Sequence, residues 1–297
     1  STSKGYVYCG GDNPAQNTPF FGMDAASWSV RCENTTLETM DENQAYREAY
    51  FGAVIFHQGE RYRVETIDAD LRIIRVVKTS DIYSTRPIIR TEISITSREK
   101  TRRHHNLIVN YGEVQVSSHL CGYSVIEYDQ IVTSCELDVA PRQFTTKACW
   151  ITIDEECGIA ADAFPGSLHG AEHALIAAMP HYVLCDRSDI GGVSTPFHND
   201  TLAPTIFMYD GVKGGIGLAE KAADLFADIL TFARELVTGC PCTDGCPSCI
   251  HSPKCGNNNQ PLNKAGTAEL LKYLEGESKK PLSINNPDVN SYYRFQP

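Results

Sequence analysis

Hydrophobic and polar residues alternate with a period of two along much of the first half of the chain, beginning at Val54. The alternating segments are rich in Val, Ile, Thr and Tyr and include "LRIIRVVKT", "RPIIRTEISITS" and "ACWITID". Short turn-like stretches such as "HQGE" and "NYGE" separate them. Period-two segments of this composition, interrupted by turn residues, predict antiparallel strands joined by hairpins. The first half is therefore predicted to be an antiparallel β-rich unit, with a small barrel as one way of closing it.

After about residue 157 the spacing of apolar residues lengthens to that of helices. Helices are predicted in "GSLHGAEHALIAAMPHYVL", "GGIGLAEKAADLFADILTFARELVTG" and "NKAGTAELLKYLEG", and a short buried strand in "APTIFMYDG". An earlier short helix is predicted to begin after Asp41, which has the side chain of a good N-cap. The predicted fold class is α+β, with an antiparallel β-rich N-terminal unit followed by an α/β domain.

These patterns divide the chain into four predicted segments. Residues 1–44 are only weakly periodic and are predicted to be an irregular lead-in, and residues 45–157 form the β-rich unit. Residues 158–277 form the α/β domain, and residues 278–297 form a loose tail rich in Pro and Asn.

Charge is distributed unevenly along the 297 residues. The net charge of −11 argues by itself against a nucleic-acid binder. Between Arg61 and His105, however, eleven basic and six acidic residues give a local charge of +5 (11 − 6). A basic face of this kind can bind phosphates, and the alternative is an ordinary solvated strand face. The candidate contacts to DNA phosphates are Arg86, Arg90, Arg98, Lys100, Arg102, Arg103 and Lys213.

The chain contains twelve cysteines, and five of them lie in the stretch "CPCTDGCPSCIHSPKCG". No secretory n-region or h-region opens the sequence and no apolar run is long enough to span a membrane, so we expect a cytoplasmic protein. In a reducing compartment, clustered cysteines indicate a metal site rather than disulfides.

The cysteine stretch is predicted to hold a structural zinc ion, which makes the α/β domain a zinc-binding domain. Cys246 and Cys249 form a C-x-x-C knuckle, and a four-sulfur site has no open position for catalysis. The predicted ligands are four of the five cysteines Cys240, Cys242, Cys246, Cys249 and Cys255. The spacing leaves open whether Cys240 or Cys255 takes the fourth place, and His251 is a weaker substitute.

Two other motifs carry weaker chemical signals. "HGAEH" places His169 and His173 four residues apart on one helix face, in the H-x-x-E-H pattern of some zinc hydrolases, although histidine packing is the more ordinary interpretation. "YDGVKGGIGLAEK" sets glycines before a helix, where free N–H groups can hold a phosphate or simply make a tight turn. No G-x-x-x-x-G-K-[ST] motif for ATP occurs in the chain.

Several stretches together resemble the C-terminal region of superfamily-two DEAD/DEAH-box DNA-repair helicases of the mitomycin repair factor type. They are "AYREAYFGAVIFHQGERYRVETID", "EHALIAAMPHYVLCDRSDIGGVST", "PTIFMYDGVKGGIGLAEKA" and "CPCTDGCPSCIHSPKCGNNNQPLNKAG". "YVYCGGDNPA" also resembles the end of the winged-helix region that precedes them in that family.

The resemblance implies a non-catalytic accessory region of an ATP-dependent 3′-to-5′ helicase. It implies that the chain helps to enclose and guide single-stranded DNA, that the cysteine stretch binds zinc, and that ATP acts only through RecA-like motor domains of the same or a companion chain. The alternatives are a scaffold that docks on the motor domains, which suits the acidic remainder of the chain, and a zinc hydrolase built on His169, Glu172 and His173.

Overall fold

A computed structural model describes residues 27–128, 130–153 and 157–276 of the chain, apart from the side chain of Ser188. The strands are β1 (Trp28–Cys32), β2 (Thr35–Met40), β3 (Val54–His57), β4 (Glu60–Asp68), β5 (Ile73–Lys78), β6 (Ser84–His104), β7 (Leu107–Glu127), β8 (Gln130–Glu136), β9 (Arg142–Ile153), β10 (Ile190–His198) and β11 (Ala203–Asp210). The helices are α1 (Glu42–Glu48), α2 (Phe164–Ala178), α3 (Leu218–Asp224), α4 (Phe226–Gly239) and α5 (Lys264–Leu274). The predicted α+β fold class is confirmed.

The first sheet has the strand order β2-β1-β5-β4-β3, with β1 and β5 parallel and the other pairs antiparallel. The helix α1 begins after Asp41, whose carboxylate accepts the N–H of Gln44 at 2.8 Å, as the N-cap prediction required. The predicted irregular lead-in is wrong for residues 28–40, which form β1 and β2. The sequence did not predict these strands because Val30 and Met40 are their only fully buried residues, too few to produce a periodic pattern of hydrophobic residues.

The second sheet has the order β10-β11-β9-β7-β6, and β8 pairs with β7. It is built around two 21-residue strands, β6 and β7, paired over almost their whole length. The sheet curls until its edges meet: His198 Nε2 lies 3.0 Å from the carbonyl oxygen of Ile93, and the N–H of Ile95 donates to Asp200 at 2.8 Å. Inside the curl, the buried rings of Trp150 and Phe207 stack with centroids 5.9 Å apart.

The helices α2 to α5 cover the outer face of this sheet around β7, β9 and β11, where they form the largest apolar cluster of the described residues. α2 and α5 approach closely because Gly170 faces Thr267, whose hydroxyl oxygen would lie only 2.1 Å from a Cβ at that glycine. The long helix predicted from "GGIGLAEKAADLFADILTFARELVTG" is instead the two helices α3 and α4, which meet at Leu225.

The predicted segment boundary at residues 157/158 does not separate two independently packed units. β11, which follows it, pairs with β9, which precedes it, and the two sides share one apolar cluster. The predicted loose tail lies outside the described residues. None of the helices among the described residues combines the length and the apolar composition that a membrane span requires.

Candidate metal centre and basic groove

Four cysteine sulfurs converge in the loop between α4 and α5. The Sγ atoms of Cys240, Cys242, Cys246 and Cys249 all lie within 4.8 Å of one another. The Sγ···Sγ distances are 3.6 Å for Cys240–Cys242, 3.5 Å for Cys240–Cys246, 3.5 Å for Cys242–Cys249 and 3.8 Å for Cys246–Cys249. Sulfurs this far apart are not disulfide-bonded, since an S–S bond is only about 2.05 Å long.

The sulfur spacing suits a tetrahedral zinc ion. With Zn–S bonds of about 2.3 Å, the edge of a regular tetrahedron of sulfurs is about 3.8 Å. The measured distances of 3.5 to 3.8 Å lie close to that edge. Four thiolates are also the donor set that zinc prefers in closed structural sites. The residues present therefore fit a zinc ion.

Local backbone geometry brings the cysteines together. α4 ends at Gly239, and Cys240 continues in an extended conformation. A tight turn then reverses the chain, with the N–H of Cys249 donating to the carbonyl of Cys246 at 3.0 Å. The N–H of Cys246 points inwards and donates to Cys249 Sγ at 3.3 Å. An N–H bond of this kind stabilises negative charge on a metal-binding sulfur.

Lys264, in the first turn of α5, ties that helix to the cysteine loop. Its ammonium group donates to the carbonyl oxygen of Cys240 at 2.6 Å and also to that of Cys242. A positive charge here would offset the excess negative charge of a four-thiolate zinc site. Sequence reasoning missed this residue, because a lysine at a helix start carries no signal of its own.

The thiols of the cluster differ in acidity. Burial raises the pKa of Cys249 to about 12. At Cys242 burial also opposes ionisation, but hydrogen bonds from Cys249, Cys240 and Lys264 outweigh it and lower the pKa to about 7. Metal and protons compete for these sulfurs, so zinc affinity must fall as the pH is lowered.

Cys255 lies apart from the four clustered cysteines. Its Sγ is 3.4 Å from Nε2 of His169 on α2, in a second group of potential ligands that includes His173. The third polar member of the H-x-x-E-H motif does not join this group. The carboxylate of Glu172 instead accepts a hydrogen bond from Ser194 at 2.6 Å, and burial raises its pKa. The two histidines therefore share a face as predicted, and the third potential ligand beside them is Cys255, not Glu172.

The glycine-rich turn before α3 already holds an anion, the buried carboxylate of Asp210. The Oδ2 atom accepts the N–H groups of Ile216 at 2.6 Å, Gly217 at 2.9 Å and Leu218 at 3.3 Å, and Oδ1 accepts that of Ala219 at 2.7 Å. These are the N–H groups that a phosphate would need. The tight-turn interpretation of the motif therefore holds.

The seven basic residues predicted to contact DNA are all exposed but do not form one patch. Six lie on β6, whose register shifts at three points and so turns them towards both faces of the sheet. Two are neutralised by acids of α3: Lys100 pairs with Glu220 at 2.6 Å and Arg102 with Asp224 at 3.0 Å. Within the described residues, no ion pair engages Arg86, Arg90, Arg98, Arg103 or Lys213.

A wide groove of about 3560 Å³ runs between α1, the start of β6, α2, β10 and residues 251–257. Two of the predicted residues, Arg90 and Lys213, line it. Four further cations line it that sequence reasoning missed, because they are dispersed along the chain: Arg47, Arg142, Arg187 and Lys254. Acidic side chains line it too, among them Glu42, Glu48, Asp162 and Asp189. The groove therefore offers separate cationic positions rather than a uniformly positive wall.

Comparison with known proteins shows what this chain is similar to. Residues 171–250 match the MrfA Zn-binding domain, a span that includes the four clustered cysteines. The uncharacterized protein MJ1572.1 of Methanocaldococcus jannaschii is 38% identical over 110 residues, which are 36% of this chain and 98% of that protein. Residues 171–250 of this chain therefore belong to the MrfA Zn-binding-domain family. Together with the likeness to longer helicases, this match confirms the predicted resemblance to the C-terminal region of DEAD/DEAH-box repair helicases.

Longer proteins match more of the chain. The uncharacterized ATP-dependent helicase YprA of Bacillus subtilis is 33% identical over 216 residues, which are 71% of this chain but 29% of that helicase. The crystal structure of the DUF1998 helicase MrfA bound to DNA superposes with a TM-score of 0.63 and 27% identity, covering 91% of this chain and 36% of the MrfA chain. The chain thus spans about a third or less of the length of these helicases.

Proposed function

We propose that this chain works as a non-catalytic accessory region of an ATP-dependent helicase, which holds single-stranded DNA while separate motor domains consume ATP. The observation that carries the proposal is the superposition on DNA-bound MrfA over 91% of the chain. At this coverage the match extends well beyond the cysteine loop. Fold likeness alone does not define function, so residues of this chain must be tested directly.

Zinc at Cys240, Cys242, Cys246 and Cys249 is proposed to be structural. Four sulfurs at tetrahedral spacing leave no coordination position for a substrate. The ion would join the end of α4 to the start of α5 across a loop with few buried apolar side chains, namely Cys249 and Ile250. Cys255 is not part of this proposed ligand set.

DNA is proposed to bind in the groove rather than along the whole of β6. Arg90 of β6 and Lys213 of the turn after β11 line the groove and make no ion pair with any other described residue, whereas Lys100 and Arg102 pair with acids of α3. The cations of the groove alternate with acidic residues, which favours contacts to individual phosphates. The affinity for DNA is therefore expected to be moderate and sensitive to salt.

RecA-like motor domains, in the same or a companion chain, are proposed as the protein partner. Large apolar side chains stand exposed on and beside the first sheet: Phe51 is 60% exposed, Phe56 56% and Ile82 61%. Exposed aromatic and aliphatic groups of this kind are typical of protein interfaces. This supports docking as a second task of the chain, beside DNA binding.

Fluorescence anisotropy with labelled oligonucleotides tests the DNA proposal. The intact chain is expected to bind a 20-nucleotide single strand more tightly than a duplex of the same length. Its affinity should fall steeply between 50 and 200 mM salt, since each phosphate contact releases condensed counterions. Equal affinity for duplex and single strand would contradict the single-strand assignment, and no binding at 50 mM salt would leave only the docking function.

A further inference from the structure

We propose that His169, His173 and Cys255 form a second metal site, which binds a zinc ion and presents an open coordination position to the groove. Nε2 of His169 lies 3.4 Å from Sγ of Cys255, and the three potential ligand atoms all lie within 4.8 Å of one another. With Zn–N bonds of about 2.05 Å and a Zn–S bond of about 2.3 Å, tetrahedral zinc holds a nitrogen and a sulfur about 3.5 Å apart. The measured spacing is that of ligands to a common ion.

Hydrogen bonds orient both imidazole rings for metal binding. Nδ1 of His169 lies 2.9 Å from the carbonyl oxygen of Pro261, and Nδ1 of His173 lies 2.7 Å from that of Ile250. A carbonyl oxygen only accepts, so Nδ1 carries the proton in each ring and Nε2 keeps its lone pair. Donation of the second ring N–H to a backbone carbonyl is the usual support of a metal-binding histidine.

Hydrogen bonds also fix the position of the Cys255 sulfur. The N–H of Asn259 donates to Cys255 Sγ at 3.3 Å. The side chain of Asn259 also fixes the loop, accepting the N–H of Ser252 at 2.8 Å and donating to the Ser252 carbonyl at 3.0 Å. Gly256 lets the loop pass β6, since a Cβ there would lie 2.6 Å from the carbonyl oxygen of Ile89. A thiol without a ligand role does not require such positioning, whereas a metal ligand must be placed within a few tenths of an ångström.

The site differs in kind from the four-cysteine cluster. It supplies only three protein ligands, and all three line the wall of the groove. Two imidazoles and one thiolate suit zinc, and a three-ligand site leaves its fourth position to water or to an anionic ligand. His169 and His173 are buried and Cys255 half-buried, so the ion would sit in the groove wall, joining α2 to residues 251–261.

Metal content of the intact chain tests this inference without DNA and without any variant. Loaded with zinc and then dialysed, the chain is expected to retain two zinc ions by plasma mass spectrometry. Zinc-edge X-ray absorption should show nitrogen as well as sulfur ligands. A single zinc with a purely sulfur shell would overturn the second site while leaving the four-cysteine site and the proposed function untouched.

Variants then assign the second ion. Cys255→Ser and His173→Ala are each expected to lower the zinc content from two to one, with the sulfur-only signal retained. Cys185→Ser, which changes another half-buried cysteine outside both groups, should keep two. If Cys255→Ser keeps two ions, or if Cys255 in the zinc-loaded chain reacts with iodoacetamide as fast as in the chelated chain, the three residues are a thiol–imidazole contact and not a metal site.

Discussion

At the level of single residues, the carboxylate of Asp210 shows how a buried charge can organise a turn. It is fully buried and accepts four backbone N–H groups from residues 216–219. Bonds from N–H groups to a carboxylate are charge-assisted and stronger than neutral ones. The aspartate thus does inside the fold what a bound phosphate does in other proteins.

Asp210→Ala is expected to lower the free energy of unfolding by about 3 kcal/mol or more, because it leaves four N–H groups without their acceptor. Urea denaturation followed by circular dichroism measures the change. Asp70→Ala, which removes an exposed carboxylate between β4 and β5, should change it by less than about 0.5 kcal/mol. Equal effects of the two variants would contradict the role given to Asp210.

Sequence spacing predicted contacts within an element but not between distant ones. The separation of His169 and His173 by four residues placed both on one face of α2, as observed. Their neighbour Cys255 is 86 residues from His169 in the chain, and no local pattern indicates that contact. For the same reason the sequence could not decide whether Cys240 or Cys255 is the fourth zinc ligand, since only the path of the loop between α4 and α5 distinguishes them.

At the level of elements, the loop between α4 and α5 depends on the proposed zinc more than on burial. Its first half, residues 240–250, contains the four sulfurs, the two carbonyl groups that Lys264 binds and only two buried side chains, Cys249 and Ile250. Structural zinc sites contribute folding free energy directly, so their loss unfolds the loop that they hold.

Removal of zinc with a chelator is therefore expected to speed amide hydrogen exchange in residues 240–251 and at the start of α5. Amides of β7 and β9, which lie in the centre of the curled sheet, should stay protected. Hydrogen-exchange mass spectrometry measures both regions in one experiment. Uniform loss of protection would mean that zinc supports the whole fold, and no change would mean that the loop is held by its other contacts.

Helix prediction succeeded where a local signal was strong and failed where packing decided. Asp41 and Asn263 cap α1 and α5, each accepting an N–H three residues ahead at 2.8 Å. The division of the predicted long helix into α3 and α4 has no breaker residue, since Leu225 favours helix. It follows from the need to pack α3 on the sheet and α4 on its neighbouring helices, which is a tertiary requirement.

At the level of the whole molecule, the continuous second sheet explains why the sequence predicted the fold class better than the candidate DNA-binding surface. The sequence predicted a β-rich unit that binds DNA and a separate domain that binds zinc. Instead, β9 and β11 pair across that boundary, and the groove takes walls from both sides of it. Cations from different elements therefore meet in the groove, while several cations on the single strand β6 do not.

This geometry predicts which charges matter for DNA. The double variant Arg90→Ala, Lys213→Ala removes two groove cations and should weaken single-strand binding at least about fivefold at low salt, because two phosphate contacts are lost. It should also reduce the slope of log affinity against log salt by about 1.4, at about 0.7 per contact.

The matched control Arg98→Ala, Arg103→Ala removes the same charge from β6 outside the groove and should change affinity less than about twofold. Because both variants lower the net charge equally, a general electrostatic effect would weaken them alike. The reverse ranking would place the DNA along the β6–β7 hairpin instead of in the groove.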